Sequence, residues 1–470
     1  MRILLLSLLL AFAWNLANAQ LDRDGDGMPD RWERENFLNP DDGRDAWQDW
    51  DGDAVLNLFE YYMASRPWDA ASPIAIDVRL GDSLNLIIDT LNKQKGYLIR
   101  LQEGWHNAFI VFGGVVDNKV MIQGGWDSEF KACDPEKHAT FLGIGEDNGP
   151  IIKISLGKGH SVFILDGVQT KGNSAKLFFN GKEGEPDDTP GRFFIHRCKF
   201  IGNRLSLNWA QAVLNIEEGQ EGRSNVVISK SIIADNGFSA IKLTSRIRDT
   251  IGLEILHSTI TGQRENGIFL WAYENQDNFI AIDMVNTICA GNDGDAINYE
   301  YGDVPVDIHL KNSLIGSVTF TNSTVLSLDS TYYGFPVFWD SWAPGPGCGC
   351  VDGGTDLGFS FAGSGPDIGA VEVEDIPTET PPIVASLNVF PNPVTGVSSI
   401  QLNLNEPASS IGIWLLSCDG KVVNKFLNSK SLSAGTYTLP ITAAGLPPGL
   451  YFLQLKIGEE QLWKKIVVGR

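Results

Sequence analysis

Positive charge, methionine and long apolar runs are all scarce in this sequence. It carries 36 lysines and arginines against 58 aspartates and glutamates, a formal net charge of −22. A surface that acidic repels phosphate, so nucleic acid and anionic membranes are poor partners. Beyond the first residues no apolar run approaches the roughly 20 residues of a membrane span, so no transmembrane segment is expected. Methionine numbers 5 against 50 glycines, a balance that suits turn-rich β structure. The histidines (His106, His138, His160, His196, His257 and His309) are scattered and keep no metal-ligand spacing.

Cysteine is nearly as sparse: Cys133, Cys198, Cys289, Cys348, Cys350 and Cys418. Spacing alone cannot choose among their pairings. Cys198 and Cys289 fall inside apolar runs and read as small buried hydrophobes. Cys348-Gly-Cys350 lies in a Gly/Pro loop and reads as structural.

What is present is first of all a repeat. Five short apolar runs between Phe193 and Ser317 close on Asn203, Asn236, Gln263, Asn292 and Ser317, spaced 33, 27, 29 and 25 residues apart. A second set (GFSAIKL, NGIFL, GDAINY) carries Ile241, Ile268 and Ile297 at spacings of 27 and 29. Runs of this length, rich in Ile and Val and bounded by Gly, Asn and Asp, are strands. One unit is too thin to bury its own apolar face, so neighbouring units must stack. The expected fold is mainly β, a right-handed parallel β-helix over residues 73–375. A β-sandwich or a propeller is the alternative, although a propeller blade needs roughly 40 or more residues.

The first 19 residues read as a secretory signal: Arg2, an apolar core from Ile3 to Trp14, then Ala17-x-Ala19. Cleavage is expected between Ala19 and Gln20. No cysteine follows that bond, so a lipid anchor there is not expected.

Residues 20–72 hold two acidic loops. From Asp22, carboxylates fall at positions 1, 3, 5, 9 and 12 (Asp22, Asp24, Asp26, Asp30, Glu33), with Gly27 at the bend and Met28 offering its carbonyl. The second copy is Asp49, Asp51, Asp53, Val55, Asn57 and Glu60, with Ala54 where the bend wants glycine. This is the EF-hand loop spacing, in which the chain coils round one calcium ion and the twelfth residue returns from a starting helix. Two calcium ions are expected, with short helices near residues 29–37 and 56–64. The pair resembles bacterial thrombospondin type 3 calcium repeats, and dockerins share the loop pattern. The resemblance implies a calcium-rigidified spacer.

SLNLIIDTL (83–91) reads as a helical turn or two capping the first coil, since an open solenoid end must be covered. The IQGGWDSEF phrase and the closing DGGTDLGFSFAGSGPDIGAVE resemble the exported right-handed β-helix proteins of the choice-of-anchor and polymorphic-outer-membrane type. That architecture carries lyases, hydrolases, adhesins and stalks alike.

For chemistry, the weak catalytic candidates are Asp293, Asp295 and Glu300, since glycosidases need two flanking carboxylates. They depart from the polygalacturonase pattern. A binding strip is the other reading: Trp271, Tyr273 and Glu274 follow Ile268, Glu300 and Tyr301 follow Ile297, and Trp209 is near in sequence. Stacked coils align such residues, and aromatic faces pack on sugar rings. The blander reading is that these aromatics cover a solenoid end or fill a turn.

A Pro/Thr linker (376–384) leads to residues 385–470, whose alternation predicts a small β-sandwich. FPNPVTG with Pro391, Asn392, Pro393 and Gly396, the turn at Gly420, LPPGLYFLQL with Gly449 and Tyr451, and the closing Lys464-Lys465 resemble the type A C-terminal sorting domain of the type IX secretion system. The resemblance implies export across an outer membrane of Bacteroidetes type, with the secretion machinery and its sortase as partners and a secreted or surface-attached product. The expected function is glycan or surface binding by the lateral face of the solenoid; the alternative is a polysaccharide lyase or glycoside hydrolase in the same groove.

Overall fold

A computed structural model describes residues 21–469 except 92–95, 108–109, 114–118, 144–151, 157–160, 172–176, 182–190, 204–211, 218–222, 246–249, 273–277, 302–303, 321–323, 335, 337, 339–341, 345–349, 374–383, 391, 393, 395, 418–420, 443–444, 448 and 458–459. The expected signal peptide therefore lies outside the described residues.

The middle of the chain winds through three parallel sheets of ten, nine and eight strands, each strand pairing with its counterpart one coil on. One full coil runs Arg223–Ser229, Ile232–Ala234, Ser239–Ser245 and then returns to the first sheet at Thr250–Leu256. This is the β-helix the repeat predicts. Ile241, Ile268 and Ile297 are register partners, all fully buried. They form one rung of an internal ladder.

The corners are as regular as the strands. Between first and second sheets the chain turns on a left-handed residue in each of the last six coils: Arg197, Lys230, His257, Asn286, Asn312 and Ser330, with φ between 42° and 51°. The next position carries a buried hydroxyl in successive coils, and these bond upward: Ser231 Oγ accepts from Cys198 N at 3.1 Å and Ser258 Oγ from Ser231 N at 3.2 Å. At the second corner the amide closers do the same, Asn236 Oδ1 accepting from Asn203 Nδ2 at 2.8 Å and Asn292 Oδ1 from Gln263 N at 3.1 Å. These bonds satisfy polar groups that a buried corner would otherwise strand, although Gln263 Oε1, Asn292 Nδ2 and His257 Nδ1 stay buried without a hydrogen-bond partner. Cys198 and Cys289 are fully buried within this interior, as expected.

The entry end of the body is covered, whereas its last strands, Thr324–Asp329 and Tyr332–Tyr333, are largely exposed. The helix Leu84–Thr90, with Ser83 Oγ accepting from Leu86 N, buries Leu84 and Ile88 on the first coil. The segment 350–373 leaves the far end and runs back along the corner. Asn286 holds Thr355 by two hydrogen bonds of 2.7 and 2.8 Å, and Lys230 Nζ reaches Glu372 at 3.1 Å. Its Phe359 ring ends 4.4 Å from that of Trp47 in the N-terminal module.

That module is not a free-standing spacer. Met28, Ala46, Val55, Leu58, Phe59 and Met63 share one buried cluster with Leu98, Met121, Ile164, Phe194 and Val227 of the first sheet. Those five sheet residues form one outward-facing row through successive register pairs. Strands covered on both faces lose the alternation of a half-exposed strand, and Val162–Asp166 is buried at every position.

Beyond the linker, seven antiparallel strands form sheets of three and four around a separate core that includes Ile400, Leu402, Ile413 and Leu453. The longest of them is Val422–Leu432.

Candidate functional site

The two acidic loops share three matching hydrogen bonds. In the first, Asp22 takes Gly25 N (2.8 Å) and Gly27 N (3.1 Å) on its two oxygens, and Asp26 takes Met28 N at 2.7 Å. In the second, Asp49 takes Gly52 N (2.8 Å) and Ala54 N (2.9 Å), and Asp53 takes Val55 N at 2.8 Å. Each loop is followed by a short helix, Asp30–Glu35 and Asn57–Met63. Ala54 adopts φ 73° at the bend, the left-handed conformation anticipated there.

Inside each loop sit carboxylates with nothing to bond. Both oxygens of Glu33 and both of Glu60 are buried without a hydrogen-bond partner, and so are both oxygens of Asp24 and one each of Asp26 and Asp51. An unpaired buried carboxylate is among the costliest groups a protein can hold. Burial, then the Asp26 and Asp24 charges, push Glu33 up to about 8. Burial, then Asp53 and Asp51, push Glu60 up to about 9. Burial is also the first cause that lifts Asp26 and Asp53 to about 7. Ligand oxygens of Asp22, Asp24 and Asp26 lie within 4.8 Å of one another, as do those of Asp49, Asp51 and Asp53. An all-oxygen donor set of this kind fits a hard divalent cation.

One ligand position differs from the sequence expectation. Asp30 turns away from the first loop to Arg23 (2.7 Å) and Arg34 (3.3 Å). Burial opposes its charge, but the Arg23 hydrogen bonds win and hold its carboxyl below the usual range. Asp45 takes the vacant side instead, its ligand oxygen within 4.8 Å of those of Asp26 and Glu33. It sits on a single 3-10 turn, Asp45–Trp47, and no local spacing announces it. In the second loop Asn57 Nδ2 donates to Asp45 O at 2.8 Å while its Oδ1 stays buried and unpartnered.

Beside the first loop, between it, the first sheet and the returning segment, lies a cleft of about 380 Å³. Its walls include Asp24, Trp47, Tyr62, Arg192, Glu254 and Leu357. Tyr62 Oη donates to Gly27 O at 3.2 Å, and the Arg192 guanidinium lies 4.7 Å from the Tyr62 ring centre.

The strip predicted on the third sheet is described only at Trp271, which is half-buried and has Lys242 Nζ 4.9 Å from its ring centre. Trp209, Tyr273 and Glu274 lie outside the described residues, as do the side chains of Glu300 and Tyr301. Of the catalytic candidates, Asp293 is exposed, while Asp295 accepts from Ser317 Oγ (2.6 Å) and Thr319 Oγ1 (2.5 Å). Both Asp295 oxygens are engaged in holding the next coil.

In the C-terminal sandwich, Asn392 Oδ1 accepts from Val467 N at 2.9 Å and Tyr451 Oη donates to Pro447 O at 2.8 Å. Asn392 thus ties the first turn to the last strand, while the Tyr451 bond is local; Pro391, Pro393 and Gly420 lie outside the described residues. Residues 388–469 match the secretion system C-terminal sorting domain family. The chain carries that sorting domain, which directs it to the type IX secretion machinery and marks it for secretion and cell-surface attachment. No curated protein matches the chain. Among solved structures, the tailspike protein of an Acinetobacter phage is similar at 10% identity, over 82% of this chain and 75% of that one, with a TM-score of 0.17. Among the described residues no helix is long and apolar enough to cross a membrane.

Proposed function

We propose that this is a surface-displayed β-helix protein that binds glycan, with two calcium ions fastening its N-terminal module to the solenoid. The observation that supports the calcium half is the pair Glu33 and Glu60, each fully buried with both oxygens unpartnered inside matching acidic loops. Asp22, Asp24, Asp26, Glu33 and Asp45 would hold one ion, and Asp49, Asp51, Asp53 and Glu60 the other. The ions would supply the positive charge these carboxylates lack, and so stabilise the module on the sheet. The sorting domain then accounts for display, with sortase processing near the 376–384 linker and a cleaved signal at Ala19–Gln20 as the matching steps of export.

Binding without chemistry is favoured over a lyase or hydrolase by Asp295, whose oxygens are taken by hydroxyls of the next coil. The test uses the full mature chain. Calorimetric titration with calcium after chelator treatment should resolve two binding events, and a glycan array should show ligands with calcium present. A titration without heat removes the calcium reading. A blank array, or new reducing ends or unsaturated uronates from a polysaccharide panel, removes the binding reading.

A further inference from the structure

The cleft beside the first acidic loop faces a break in the outward row of the first sheet. That row reads Leu98, Met121, Ile164, Phe194, Val227 and then Glu254. The apolar part is roofed by the N-terminal module, and Glu254 is the first member left exposed. Arg192 enters the same cleft from one row to the side and two rungs back, roughly 12 Å away at a rung spacing of ~4.8 Å and a rise of ~3.3 Å per residue along the strand. Among the described residues the Arg192 side chain has no carboxylate at ion-pair distance; it lies against the Tyr62 ring, and its charge reaches Glu254 only through space. The Glu254 side chain likewise has no hydrogen-bond or ion-pair partner among them. The apolar floor that a ligand can reach is Trp47, Tyr62, Val285 and Leu357, each only partly buried, while Phe194, Val227 and Leu256 are closed off from solvent.

We infer that this cleft is a pocket for a neutral saccharide, with Arg192 and Glu254 gripping hydroxyls at opposite edges of the sugar and the apolar floor taking its ring face. The volume falls within the range of small-ligand sites. A hydroxyl both donates and accepts, so a polyol can satisfy a lone guanidinium and a lone carboxylate at once. Arg44 is paired with Asp42 and Asp356, and Asp24 and Asp26 on the same wall would be neutralised by their own ion, so a uronate would meet Glu254 and an amino sugar would meet Arg192. Uncharged sugars escape both penalties. Tyr62 joins the pocket to the metal loop through Gly27, so loop order sets where Arg192 stands. Sugar binding and calcium binding are therefore coupled, and each tightens the other.

This deepens the glycan reading, and its metal dependence rests on the calcium reading. The experiment is saturation-transfer NMR of the full mature chain with galactose, N-acetylglucosamine, galacturonate and glucosamine, each with calcium and with chelator. A neutral sugar should show transfer with calcium, weakened at least tenfold in both Arg192→Met and Glu254→Gln, and weakened by chelator. Melting curves of the variants with calcium control for folding, and the isosteric Glu254→Gln change keeps the test meaningful if Arg192→Met unfolds. Preference for galacturonate or glucosamine, or binding that survives both substitutions, overturns the inference. Binding that survives both but is lost in Trp271→Ala moves the sugar to the third sheet, which also overturns it while leaving the glycan reading standing. No transfer from any sugar overturns it as well, and the array then judges the broader reading alone.

Discussion

Gln123 reaches out of the first sheet to the second acidic loop, its side-chain amide donating to the Ala54 carbonyl at 2.6 Å. The same amide donates to the buried Asp166 carboxylate at 3.0 Å, so the bend of the loop and the sheet beneath share one donor. The residue held this way is the one whose backbone is strained, at φ 73°. A left-handed conformation costs a residue with a Cβ about 1–2 kcal/mol, part of which glycine gives back as unfolded-state freedom. Ala54→Gly should therefore tighten the second calcium event a few-fold by calorimetry. Weaker binding would contradict the strain argument.

The exchange of Asp30 for Asp45 gives a second test. Asp45→Asn should weaken the first calcium event by about tenfold or more, because it removes a charged oxygen from the shared set. Asp30→Asn should leave that affinity within about threefold and instead lower the melting temperature of the calcium-loaded protein, since two arginines lose their anchor. The reverse ranking would restore the plain loop pattern.

Phe359 packs against Trp47, His196 and His257 with 7% of its surface exposed. Phe359→Ala should cost about 3 kcal/mol, read by denaturant unfolding. It should also speed proteolytic loss of residues 20–72, because the returning segment no longer pins the module.

Acid should loosen the same seam. Burial drives His196 and His257 each down to about 3, against roughly 6.5 in an unfolded chain. The unfolded state takes up protons first, so stability is full above about pH 6.5 and falls as pH drops from there towards 3. By pH 5 each histidine accounts for about 2 kcal/mol. The difference between wild type and His257→Asn, followed by unfolding at pH 7 and pH 5, should show the variant losing less.

Removing residues 385–470 should strand the protein inside the outer membrane, followed by cell fractionation. Surface display of the truncated chain would contradict the role of the sorting domain.

Repeats were the legible part of this molecule. The 27- and 29-residue spacings of Ile241, Ile268 and Ile297 gave the coil, because internal positions recur with every turn. The fold of the acidic loops was equally plain, because their carboxylates are close in sequence. What stayed hidden was everything made by contact between distant segments. Asp45 comes from outside both loops. The docking of the module was written as an outward row of Leu98, Met121, Ile164, Phe194 and Val227, visible only once the register of five strands is known. The one local hint was the uninterrupted apolar run VFIL in Val162–Asp166, since a strand open to water on one face would alternate. The cleft had no such hint, as Arg192 and Glu254 are 62 positions apart and meet only through the pitch of the coil.

The segment 350–373 has one more implication, for the order of events in time. It is synthesised after every rung of the solenoid, yet it clasps Trp47 and Arg44 near the start of the body. A chain that emerges amino end first cannot finish seating its opening module until its closing rungs are out. Assembly is thus gated at the end of the body, immediately ahead of the sorting domain, and a prematurely halted chain is left unclasped and open to proteolysis.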